Sequence, residues 1–109
     1  MQTPSKLEEY IEQQYLKYDN LRDQRQYLEA KGILLETINN ANNYKYDKRK
    51  YPLLQDLFSL VKKYLENQSF NFKYLDFLCS IIISFGFLSN RRGYEYTKKE
   101  IERTITLQI

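Results

Sequence analysis

The sequence predicts an all-α fold, a single-domain bundle of four to five helices over residues 1–109 with a hydrophobic central helix near 72–85. Three observations support this prediction. A chain of 109 residues is close to the usual size of one domain with one core. Apolar residues recur every three to four positions through three long segments, as they do along amphipathic helices. Asparagine-rich and proline-containing stretches separate these segments.

Residues 4–40 fit either one bent helix or two helices. Ser5 and Glu8 have the spacing of a capping box at a helix start. A heptad-like apolar stripe follows, with Gln14, Arg25 and Gly32 at intervening positions; its members are Leu7, Ile11, Tyr18, Leu21, Leu28 and Leu35. We favour a break near Asp19 and Asn20, because the run NLRDQRQ contains a single apolar residue.

A second apolar stripe continues the helical pattern to about residue 39; it consists of Ala30, Ile33, Leu34, Thr37 and Ile38. Four asparagines within five residues then end the helix, since their side chains compete for backbone hydrogen bonds. Pro52 can begin the next helix, over 53–66. Its polar positions form one stripe, Gln55, Ser59, Lys62 and Glu66, which predicts a helix that is more than half buried.

The most apolar segment, residues 72–85, is predicted as a core helix capped by Asn71. Its polar residues are spaced three, four and four apart and form one narrow stripe, made of Lys73, Asp76, Ser80 and Ser84. Leu78 and Ile82 lie on the opposite side and are expected to be buried. The segment is too short to span a membrane, and it contains an aspartate, which is rare inside membrane spans.

Residues 85–97 fit either a short β-hairpin or a helix–loop–helix connection. Two aromatic-rich pieces flank a basic turn that closes at Gly93. Thr97 and Glu100 then have capping-box spacing, which predicts a short helix to about Ile105.

Composition argues against catalysis and against a cofactor or metal. The chain has no histidine, so the side chain best suited to acid–base chemistry at neutral pH is missing. One cysteine, Cys79, excludes an internal disulfide and multi-cysteine zinc sites. The polar, acidic N-terminus does not resemble a signal peptide, and we expect a cytoplasmic protein that does not bind a membrane.

Two segments are candidate partner-binding sites. The first, 44–51, interleaves cations with tyrosines: Tyr44, Lys45, Tyr46, Lys48, Arg49, Lys50 and Tyr51. Cations of this kind hold phosphates while aromatic rings stack on unpaired bases, although a solvated loop has the same composition. The second contains Arg91, Arg92, Tyr94 and Tyr96. With its flanks it resembles the wing of winged-helix DNA-binding domains, which implies arginine contacts to the DNA backbone or minor groove.

The sequence favours a non-enzymatic protein that docks on a protein partner, as an adaptor, inhibitor or immunity-type antagonist. In size and helix content it is similar to small immunity and phage-borne inhibitor proteins. The alternative is a winged-helix-type DNA-binding protein with a basic wing at 89–97. Protein docking is preferred for two reasons. A net charge of +3 attracts nucleic acid only weakly, and helix 72–85 offers few side chains that could hydrogen-bond to base edges. The oligomeric state stays open.

Overall fold

The computed structural model describes residues 6–84 and 91–106, and the regular elements in these residues are all helical. They confirm the predicted all-α fold. The elements are α1 (Lys6–Asp23), α2 (Tyr27–Ala41), α3 (Leu54–Leu65), a 3-10 turn (Phe72–Tyr74), α4 (Leu75–Ile83) and α5 (Arg91–Thr106). α2 packs against α1, α3 and α4, α4 also packs on α1, and α5 packs on α3. Every described helix is too short or too polar to cross a bilayer.

The turn between α1 and α2 is a Schellman motif with an unusual residue at its key position. Its two N–H···O hydrogen bonds, each 2.9 Å, run from Gln26 to Leu21 and from Arg25 to Arg22. Arg25 has a φ of 60°, in the left-handed region where glycine is the common choice. For a residue that carries a Cβ, this conformation costs about 1–2 kcal/mol.

The break in the 4–40 segment therefore lies at residues 24–26 and not near Asp19 and Asn20. The two-helix alternative is the correct one. Leu28 was assigned to the apolar stripe that begins on α1, but it is 67% exposed. The heptad spacing that assigned it runs through the turn, where the chain reverses, so the phase of the stripe on α1 does not carry over to α2.

Polar side chains set the register of the antiparallel α1–α2 pair. Gln14, which interrupts the apolar stripe in sequence, is buried and donates to Thr37 Oγ1 and to a Glu36 carboxylate oxygen, both at 3.2 Å. One helical turn farther from the α1–α2 turn, Asn40 donates to the Tyr10 hydroxyl at 2.9 Å. Because a buried polar group is costly unless paired, these bonds favour one alignment of the two helices.

Helices α3 and α4 each bury an apolar face in the core, as the sequence predicts. On α3 the buried side chains are Leu54, Leu57, Phe58, Val61 and Leu65. On α4 Leu78 and Ile82 are both buried, and the predicted polar stripe is exposed. The Asn71 side chain accepts a hydrogen bond from the Lys73 amide at 3.0 Å and caps the 3-10 turn that precedes α4. The α-helical part thus begins at Leu75, later than predicted.

Residues 91–97 are helical, which corrects the β-hairpin expectation over 85–97; residues 85–90 lie outside the described part of the chain. α5 runs through Thr97 without a break, so the helix start predicted there is also wrong. The physical reason is the spacing of Tyr94, which packs on the core, and Ile101, which is fully buried. Seven residues apart, they share one helix face that packs on α3.

Candidate functional site

A groove of about 530 Å³ lies between the α1–α2 turn and the segment that leads into α4. Its lining side chains come from two parts of the chain and are Arg22, Asp23, Arg25, Tyr27, Phe72, Lys73, Leu75 and Asp76. We call it the turn groove. Its volume falls within the range of ligand-binding clefts, and aromatic and charged side chains face it together.

The floor of the turn groove is aromatic. The rings of Tyr27 and Phe72 stack with centroids 6.2 Å apart and an angle of 24° between their planes. They are 40% and 41% exposed. Phe70 meets the edge of Phe72 at 6.1 Å, and the Lys31 ammonium lies 5.3 Å from the Phe70 ring centroid. Half-exposed stacked rings present apolar area that is already held in place by its neighbours.

One side of the groove is a network of carboxylates around Arg22. This guanidinium donates to Asp76 Oδ1 at 3.1 Å and to Asp23 Oδ1 at 3.1 Å, and it also bonds Asp19. These hydrogen bonds raise the pKa of Arg22, and the bond to Asp76 has the largest effect. The buried Tyr18 hydroxyl donates to the same Asp76 oxygen at 2.6 Å. One guanidinium thus bonds three carboxylates, and two of them, Asp23 and Asp76, line the groove.

Two further cations line the groove, Arg25 and Lys73, and both are exposed. The Lys73 ammonium lies 5.2 Å from the Tyr74 ring centroid, close enough for a cation–π interaction. For Arg25, none of the hydrogen bonds or ion pairs among the described residues involves its side chain. The turn groove therefore combines an aromatic floor with charged side chains of both signs.

The candidate segment 44–51 keeps its cations exposed but turns its tyrosines toward the protein. Tyr44 stacks on Tyr10 with centroids 4.9 Å apart, and Tyr46 is half-buried against the core. Tyr51 is buried and donates to Glu8 at 2.9 Å. Its neighbour Lys50 holds its ammonium 5.3 Å from the Tyr51 ring centroid. Rings held in this way are poor platforms for stacking on a base.

The second candidate set lies at the start of α5 as the structure describes it. Arg91 and Arg92 are exposed, Tyr94 packs partly on the core, and Tyr96 is 67% exposed. Tyr94 and Tyr96 lie on different faces of the helix, so the structure does not bring these four residues together as one surface.

The turn groove itself was missed by sequence reasoning. Arg25 was noted only as an interruption of a stripe, and Phe72 only as part of a core helix. The one available signal was that an arginine occupied a position where the helical pattern fails. Among the described residues, no group of three or more carboxylate or thiol side chains is arranged to hold a metal ion. No protein-family model matches the chain, and no curated protein and no solved structure is significantly similar to it.

Proposed function

We propose that this protein works without catalysis, by docking on a protein partner through the turn groove. The observation that carries the proposal is the stacked ring pair of Tyr27 and Phe72 in a groove that side chains of both charges also line. Aromatic side chains and arginine are the residues most enriched at the energetic centres of protein interfaces. Rings that are already packed on each other lose little conformational freedom when a partner covers them.

The charges in the groove favour a protein over a nucleic acid. A nucleic acid carries phosphates along its whole length, and in this groove some of them would approach Asp23 and Asp76. Both carboxylates line the groove, and their side chains are 66% and 60% exposed, so a bound chain would meet their charges. A protein segment can instead offer an acidic side chain to the cations of the groove and a basic side chain to its carboxylates.

The absence of catalysis in this proposal rests on the chemistry of the side chains. The sequence contains no histidine, and the carboxylates at the groove accept hydrogen bonds from Arg22 and Tyr18. Such bonds hold each carboxylate in place. An adaptor, inhibitor or immunity-type antagonist requires only that the groove be presented rigidly.

The test is affinity capture from an extract of the source cell with four matched baits. The wild type is compared with Tyr27→Ser and Phe72→Ser, which change the floor, and with Leu16→Ser. Leu16 lies on α1 outside the groove and is 64% exposed. Its variant therefore removes an exposed apolar side chain without changing the groove. Circular dichroism and melting curves first establish that all four baits are folded.

We expect one partner to be recovered equally by the wild type and the Leu16→Ser variant. With purified partner, each floor variant should bind about thirtyfold more weakly, as is usual when a central aromatic anchor is truncated. If both floor variants bound the partner as tightly as the wild type does, the proposal would be contradicted. So would micromolar or tighter binding to duplex DNA at physiological salt that is lost in the double variant Arg91→Ala and Arg92→Ala.

A further inference from the structure

We infer that Arg25 determines which segments the turn groove accepts, by binding a carboxylate that lies next to an apolar anchor on the partner. This inference rests on the proposed docking function and adds the chemistry of the partner to it. Three observations carry it: the backbone conformation of Arg25, the lack of a hydrogen bond or ion pair between its side chain and any other described residue, and its position in the groove.

The backbone conformation is the first observation. Arg25 occupies the C′ position of the Schellman motif with a φ of 60°, where glycine is the least strained residue. An arginine there makes the turn less stable than it could be. Strained positions of this kind are found where a side chain is needed for function.

The second observation is that the described part of the chain makes no polar contact with this side chain. Among the described residues, the Arg25 guanidinium has no hydrogen bond and no ion pair, whereas the neighbouring Arg22 bonds three carboxylates. The strain at Arg25 is therefore not offset by a polar contact within the described structure. Because none of its N–H donors bonds a described residue, this planar guanidinium can bind a carboxylate through two parallel hydrogen bonds.

The third observation is position. Arg25 lines the groove together with Tyr27, Phe72 and a second cation, Lys73. A segment that places an aromatic or large aliphatic side chain on the floor brings its neighbouring residues to the charged side chains of the same groove. The partner chemistry is therefore an apolar anchor with an aspartate or glutamate within a few residues of it. A segment that also carries a positive charge gains from Asp23 and Asp76 as well.

The experiment selects displayed random twelve-residue peptides on the wild-type protein and removes those that also bind the Phe72→Ser variant. Selected peptides are then synthesised in two forms, with the acidic residue intact or replaced by its amide. Their affinities are measured for the wild type, for Arg25→Gly and for Arg25→Lys. The variants are matched in position, and only glycine removes both the charge and the backbone strain.

We expect Arg25→Gly to bind the acidic peptides about five- to tenfold more weakly while its melting temperature stays equal or rises by a few degrees. The amide peptides should bind the wild type more weakly by the same factor and should not distinguish the wild type from Arg25→Gly, which closes the double-mutant cycle. Arg25→Lys should fall between the two, because it keeps the charge and loses the planar fork. A residue with a purely structural role would not lower affinity while stability is kept.

Several results overturn the inference, and they separate it from the docking proposal. If selected peptides need Phe72 but bind Arg25→Gly as well as the wild type, the role of Arg25 is refuted and docking stands. If no peptide distinguishes the wild type from Phe72→Ser, both fail. If an oligothymidylate of twenty nucleotides bound more tightly than the peptides at physiological salt, the partner would be single-stranded nucleic acid and not a protein.

Discussion

Replacing Tyr18 by Phe removes one oxygen atom from the protein and leaves the ring in place. The Tyr18 side chain is 1% exposed, and its hydroxyl donates to the Asp76 carboxylate at 2.6 Å. A hydrogen bond to a charged group contributes about 1.5–3 kcal/mol. Because the Asp76 side chain is 60% exposed and keeps its bond to Arg22, it can recover part of this by hydration. We therefore expect the variant to lose about 1–2 kcal/mol of unfolding free energy.

Tyr74 supplies the matched control. Its hydroxyl is buried and has no hydrogen-bond partner within the part of the chain that the structure describes. Removing a buried polar group that lacks a partner relieves its desolvation cost, so Tyr74→Phe should be neutral or stabilising by about 1 kcal/mol. The same chemical change is thus expected to have opposite signs at two buried tyrosines.

The assay is urea unfolding at 25 °C and neutral pH, followed by far-ultraviolet circular dichroism for the wild type and both variants. Equal dependence of the unfolding free energy on urea in all three proteins would show that only the native state has changed. If Tyr74→Phe lost as much stability as Tyr18→Phe, the Tyr74 hydroxyl would have a partner after all. If Tyr18→Phe left the stability unchanged, its hydrogen bond would contribute nothing to the attachment of α4 to α1.

Burial and helix chemistry give four further predictions. Leu78→Ala and Ile82→Ala should each cost about 2–5 kcal/mol in the same assay, through lost burial and a residual cavity, and near-wild-type values would place α4 at the surface. Cys79 is buried, and burial raises the pKa of its thiol from 9.0 to about 12. It should not react with an aromatic disulfide reagent at pH 8 until urea is added. Because the unfolded chain releases this proton at lower pH than the folded chain, unfolding free energy should fall as the pH rises from about 9 toward 12. Gly32 lies in α2 with nothing within 4 Å of an added Cβ, so Gly32→Ala should stabilise the protein by up to about 1 kcal/mol; a loss of stability would show that the glycine is required.

The helices that could be predicted are those whose periodicity continues without interruption. In α3 and α4 the polar stripe and the buried face alternate at helical spacing, and Leu78 and Ile82 fall where the pattern places them. The α1–α2 pair shows the limit of this reasoning. A periodic pattern has meaning only within one continuous helix, so Leu28 was assigned across the turn at residues 24–26 and proved exposed.

The prediction for the start of α5 failed for a different reason. Alternating Tyr94 and Tyr96, with Gly93 before them, are locally typical of a hairpin. In the structure, packing of Tyr94 and Ile101 outweighs these local preferences. Such a contact with α3 depends on the tertiary fold, and no short window of sequence contains it.

The turn groove could not be predicted because it, too, depends on tertiary contacts, here between segments that are far apart in the sequence. Its aromatic floor joins Tyr27 to Phe72, and no periodicity relates two residues so far apart in the chain. Arg25 was visible in the sequence as a polar residue out of place, but its left-handed backbone could be recognised only once the turn was seen.

The bond between Tyr18 and Asp76 spans 58 positions in the chain, and it fastens α4 and its 3-10 turn against α1. The α1–α2 hairpin is local and can form early, but it carries only one wall of the turn groove. The other wall arrives when Phe72 and Lys73 are brought into place by the seating of α4. Occupancy of the groove is therefore coupled thermodynamically to completion of the fold. A ligand at one hundred times its dissociation constant would add about 2.7 kcal/mol to the stability of the whole chain, and a chain with α4 detached would present no groove to bind.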